Sequence, residues 1–229
     1  MSKKFSFAAI AAAGLLCTAA SHAALVTSFA AYTGPGLDLT AYATGNYNFT
    51  FGPKPIPGGI TFTSNVNNSN SGLGSVLGQG GYGLGANGSF SLPAVYAGLD
   101  GPSGYMTFAF DNAVSAFGAF MNYAPAPQGQ EAQYIAAYNA IGGLLESWTL
   151  PVSAPISTPG GVNAFEFRGI SLGNAVIKEF RVGGNYILAA ATANGNPVAP
   201  SNPTPEPASL ALVGAALAGA AWARRSRKA

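Results

Sequence analysis

The chain has 229 residues, of which 48% are apolar and 11% aromatic but only 8% charged; this length suits one domain with appendages, and the apolar share excludes a disordered chain. The net charge of +2 hides its distribution, because six of the ten basic residues are Lys3, Lys4, Arg224, Arg225, Arg227 and Lys228, at the two ends. Between residues 24 and 200, four bases (Lys54, Arg168, Lys178, Arg181) face seven acids, a charge of −3, which excludes a basic face for nucleic acid.

The first element is a signal. Lys3-Lys4 forms a positive start, FSFAAIAAAGLLCTAA (residues 5–20) an apolar stretch, and Ser21-His22-Ala23 puts small residues at −3 and −1 of a cleavage site. The pattern predicts an N-terminal signal helix, residues 1–23, cut between Ala23 and Ala24. The only cysteine, Cys17, and the only histidine, His22, leave with it. The mature chain then has no disulfide, Cys/His metal site, thiol nucleophile or Ser–His triad. No catalytic residue, metal ligand or cofactor is nominated, and the expectation is a non-enzyme.

Residues 24–193 read as short strands broken by Gly, Pro and Asn. LVTSFAAY, NYNFTF and ITFTSN are strands near the front. YMTFAFD (105–111) alternates, with Met106, Phe108 and Phe110 on one face; an Asn112-Ala113 turn then leads into VSAFGAFMNY (114–123). AQYIAAYNA, Gly142-Gly143 and LLESWTL predict a hairpin, although Tyr134 and Tyr138, four apart, also permit a helical turn over 132–140. NAFEFRGI puts Phe165 and Phe167 on one side and Glu166 and Arg168 on the other, and NAVIKEFRV and NYILAAAT close the body. The expected fold is all-β, an antiparallel, jelly-roll-like β-sandwich.

Within the body, residues 72–88 contain G-x-G-x-x-G twice, but an Asn/Ser run precedes them and Ser-Phe-Ser-Leu-Pro follows, not the strand and helix of a dinucleotide loop. They read as a turn-rich surface loop. Glu131, Glu146, Glu166 and Glu179 are the carboxylates from which a glycoside hydrolase would draw its pair. Arg168 and Arg181 sit two residues from Glu166 and Glu179, which marks those two as surface ion pairs. Trp148, Tyr134 and Tyr138, with Tyr96 and Tyr105, are candidates for stacking on a sugar ring, against the alternative that sandwich aromatics are core.

Residues 194–204 begin a Pro/Asn-rich linker that no helix or central strand can use. Residues 209–223, SLALVGAALAGAAWA, carry no charge and predict a C-terminal transmembrane helix; Arg224, Arg225, Arg227 and Lys228 follow as a membrane-stop cluster held on the cytoplasmic side. Pro205-Glu206-Pro207, then this helix, then Arg-Arg-x-Arg-Lys, resembles the PEP-CTERM sorting signal of Gram-negative bacteria over residues 205–229. The same motif also goes by the name of ice-binding protein C-terminal domain. The resemblance implies cleavage near Pro-Glu-Pro by an integral-membrane exosortase, with this chain as substrate, a transient membrane anchor, and a destination at the cell surface or in an exopolysaccharide matrix. The stretch between Gly104 and Tyr186 also resembles the sandwich regions of such surface proteins: Val114-x-x-Phe117-Gly118, an inner-Gly hairpin, Phe165-x-Phe167-x-Gly169 and Gly184-x-Tyr186-Ile187-Leu188. Where those regions put acidic residues after the last strand, this chain has Ala189, Ala190 and Ala191. The alternatives to a non-catalytic surface protein are a carbohydrate- or ice-binding module and a glycoside hydrolase.

Overall fold

Two six-stranded antiparallel sheets arise where apolar and polar side chains alternate with the strand period. The structure is a computed structural model and describes residues 23–44, 48–66, 74–83, 87–90, 94–125, 128–157 and 165–196. Its strands are β1 (Ala24–Val26), β2 (Lys54–Ile56), β3 (Ile60–Ser64), β4 (Gly74–Gln79), β5 (Tyr82–Gly83), β6 (Ser89–Phe90), β7 (Val95–Asp100), β8 (Tyr105–Val114), β9 (Ala116–Tyr123), β10 (Tyr134–Tyr138), β11 (Leu144–Thr149), β12 (Glu166–Ser171), β13 (Ile177–Gly183) and β14 (Ile187–Ala190), with one short helix, α1 (Leu150–Ser153).

One sheet, sheet A, runs β1-β12-β9-β14-β7-β4, and the other, sheet B, β11-β10-β13-β8-β3-β2; β5 and β6 form a separate ribbon. The last eight strands pair first with last: β7 with β14, β8 with β13, β9 with β12 and β10 with β11. This is a long hairpin rolled up across two sheets, the winding of a jelly roll. Phe117 of sheet A packs against Phe108, Phe110 and Phe180 of sheet B at centroid distances of 5.6, 4.9 and 5.1 Å, edge-on to the last two. With Phe62, Met106, Met121, Ile135, Ile170 and Val182 they form the buried core between the sheets.

Several local expectations change. The Asn112-Ala113 turn is absent: β8 continues to Val114, and the chain changes sheets at Ser115. Five steps on β8, Ala109 to Val114, oppose two on β13, so the polar Asp111-Asn112 pair is absorbed as a bulge. Residues 134–138 are strand, not helix, because Ile135 and Ala137 alternate into the core. The described part of the NYNFTF segment, residues 48–51, forms an isolated bridge from Phe49 to Val76 rather than a strand before Gly52, at φ 80°, turns the chain. After β1, Phe29–Ala31 coils as a 3-10 turn that lays Phe29 and Tyr32 over Phe167, at 5.4 and 4.7 Å.

The glycine-rich segment is not simply a surface loop. Residues 74–79 are strand β4, buried on both faces, with Leu77 in the inter-sheet core and Val76 in a second cluster outside sheet A. That cluster also takes Tyr96, Phe165, Leu188 and Ala190. The covering chain approaches closely at Ser75, whose hydroxyl donates to the Thr50 carbonyl. At the other end, residues 194–196, placed in the linker by composition, are held to the body; the Val95 N–H donates to the Gly195 carbonyl at 2.5 Å.

Candidate functional site

Sheet A is covered on its outer side, so the open face belongs to sheet B. Register places its side chains, because residues directly opposite one another share a face. Tyr134, Ala136 and Tyr138 of β10 lie opposite Thr149, Ser147 and Leu144 of β11 on one side, and opposite Gly183, Arg181 and Glu179 of β13 on the other. The rows continue through Tyr105 and Thr107 of β8.

Two features stiffen this face. The Arg181 guanidinium lies 4.1 Å from the Tyr138 ring centroid and 4.8 Å from that of Tyr105, and it donates to Glu179 at 3.0 Å. A planar cation between two rings holds both in place. Beside it, Tyr134 lies over Gly183: a Cβ there would come within 2.5 Å of the ring, so only glycine leaves the ring room. Between the two tyrosines is an open groove of about 310 Å³ with Ala136 as its floor, Ser147 and Thr149 on the β11 side and Glu131 at its rim. Glu131 is held by the Gly104 N–H at 3.1 Å.

Tyr134 and Tyr138 therefore come together as expected, and Tyr105 joins them through Arg181. Trp148 does not share their face. It opposes the inward Ile135 and packs against the core, touching the groove only from the side. Tyr96 is fully buried outside sheet A.

The carboxylates are dispersed and occupied. Glu146 accepts from the Ser147 N–H at 3.0 Å, and Glu166 and Glu179 pair with Arg168 and Arg181 at 2.8 and 3.0 Å. The Glu166–Arg168 pair is not the surface pair expected. Arg168 faces inward opposite Ala119, is 3% exposed, and bonds the Tyr123 hydroxyl and the Phe167 and Ala154 carbonyls at 2.8, 2.8 and 3.2 Å. Both faces of β12 are covered, Phe167 lying beneath the aromatic patch of Phe29 and Tyr32, so the alternation was right and the exposure was not.

Burial raises the phenol pKa of Tyr32, Tyr42 and Tyr123. It pushes Tyr134 up to about 12, helped by the neighbouring Glu131. An acid with a raised folded pKa binds more protons folded than unfolded, so its stabilisation is complete below the unfolded value near ~10 and is lost as pH climbs through the folded value. Residues 24–229 contain no histidine. Urea midpoints should therefore be level from pH 7 to 9 and fall between pH ~10 and ~12; a level profile through that window would refute this burial of the tyrosines.

Pro205, Glu206, Pro207, the 209–223 span and the basic cluster lie outside the described residues, as do residues 1–22 of the signal. Among the described residues no helix is long and apolar enough to cross a membrane. The body is thus an antiparallel two-sheet β protein, and its tail supplies the class of its handling. Residues 203–228 match the family model described as the PEP-CTERM protein-sorting motif. Exosortase recognises this motif, so the chain is an exported protein sorted by that enzyme towards the cell surface. No curated protein matches the chain, and no solved structure matches it.

Proposed function

We propose that this chain is a non-catalytic protein of the cell surface or exopolysaccharide matrix, exported behind a signal peptide, parked in the inner membrane by its tail and cut free near Pro205-Glu206-Pro207. The observation that carries the reading is the sorting motif over residues 203–228 behind a self-contained β body. As a helix, residues 209–223 would be about 22 Å long against about 30 Å of hydrocarbon, and arginine side chains that snorkel to the interface cover part of the deficit. Ala24 opens β1 and pairs with Ser171, so a cut after Ala23 leaves a new N-terminus at a sheet edge with no overhang.

A second reading, a carbohydrate-binding module, is favoured by the groove between Tyr134 and Tyr138. Hydrolysis fits less well: the groove lining contains a single carboxylate, Glu131, where glycoside cleavage needs two flanking the bond. Mass spectrometry of the protein recovered from the cell surface should give a first residue of Ala24 and a last residue within 205–207. Recovery from the cytosol with both ends intact would overturn the proposal.

A further inference from the structure

We propose that the groove between Tyr134 and Tyr138 binds a pyranose ring of a neutral polysaccharide, with Tyr134 as the stacking platform; the inference rests on the carbohydrate reading of that same site. A pyranose presents two chemistries at once: C–H groups on its faces and hydroxyls around its edge. The groove offers a partner to each. Tyr134 lies over Gly183, so one ring face is supported by the sheet backbone and held ready for a ligand. Four residues along an extended strand separate Tyr134 and Tyr138 by about 13 Å, which leaves room for a ring above Ala136. Ala136 opposes Ser147, and Tyr134 opposes Thr149, so two exposed hydroxyls border that space while Glu131 stands at the rim as an acceptor.

The charges select against an anionic chain. Arg181 is the cation nearest the groove, and its guanidinium is already committed to Glu179 and to two tyrosine rings. Glu131 remains as the formal charge of the lining, so a uronate or phosphate would meet repulsion without a free cation to offset it. The Tyr134 phenol, with its pKa near 12, stays protonated and can donate as well as accept at any growth pH.

The test uses the mature protein recovered from the cell surface, in affinity gel electrophoresis through hydroxyethylcellulose, dextran, galactomannan or alginate. Retardation by at least one of the three neutral polymers, and none by alginate, is expected. Tyr134→Ala should weaken that binding at least about fivefold, whereas Tyr134→Phe, which keeps the ring, should weaken it less. Should Tyr134→Ala fail to fold, Ser147→Trp, on an exposed strand position, fills the groove from the other side and should abolish retardation. Retardation by alginate alone, by no polymer, or undiminished in Tyr134→Ala or Ser147→Trp would overturn the proposal. Each of those results leaves the sorting of the tail standing, since the termini report on that separately.

Discussion

Arg168→Ala should lower the stability of the body by about 3–5 kcal/mol and its Tm by roughly 10 °C. The loss has two sources. Truncation opens a cavity beneath the crossover that carries α1 from sheet B to sheet A. It also strips donors from the buried Tyr123 hydroxyl and the Phe167 and Ala154 carbonyls. Arg168→Met separates them: it fills most of the volume but makes no hydrogen bond, so it should cost about 1–3 kcal/mol. Glu166→Gln should cost under about 1 kcal/mol, because that side chain is 53% exposed and its half of the pair is screened. Urea denaturation of the three variants checks the order Ala, Met, Gln. Equal, small effects for all three would mean that Arg168 is a surface residue after all.

Arg168 also shows where reading the sequence stops. Alternation in Glu166-Phe167-Arg168 reveals which side chains share a face, and the structure agrees. Which face turns inward depends on what covers the strand, and the cover here is Phe29 and Tyr32, well over a hundred residues upstream. The same limit governs the groove. Tyr134 and Tyr138 were legible because they are four apart, an even spacing that puts both on one face of one strand. Arg181, Gly183, Ser147 and Thr149 become their neighbours only through registers across three strands, which local patterning does not encode. Trp148 lies on the other face of its strand from that row for the converse reason: its partner in register is the inward Ile135, although it still borders the groove. Strand β4 was missed because Gly and Ser dominate it, and its two large apolar residues, Val76 and Leu77, are adjacent and serve opposite faces. The sorting motif, by contrast, was legible from the tail alone and is matched over residues 203–228, since its signal lies in composition and order rather than in tertiary contact.

On the proposed route, replacing Arg224, Arg225, Arg227 and Lys228 together by Gln should shift most of the protein out of the membrane fraction of cells lacking exosortase, where that route would leave the unprocessed form. The 15-residue apolar stretch before them is rich in Ala and Gly and shorter than the hydrocarbon thickness, so hydrophobicity alone holds it weakly. Each basic side chain dragged to the bilayer centre costs about 2.5–3.5 kcal/mol, so the four charges decide whether transfer stops. Glu206→Ala in cells with exosortase should act the opposite way. On the proposed route this change leaves the anchor and removes the acid of Pro-Glu-Pro, so full-length protein should build up in the membrane and the surface form should fall several-fold. Fractionation followed by immunoblotting distinguishes the two: loss from the membrane in one variant, accumulation there in the other. If the basic-cluster variant stays in the membrane fraction and the Glu206→Ala variant reaches the surface as the unaltered chain does, the proposed anchoring and cleavage of the tail both fail.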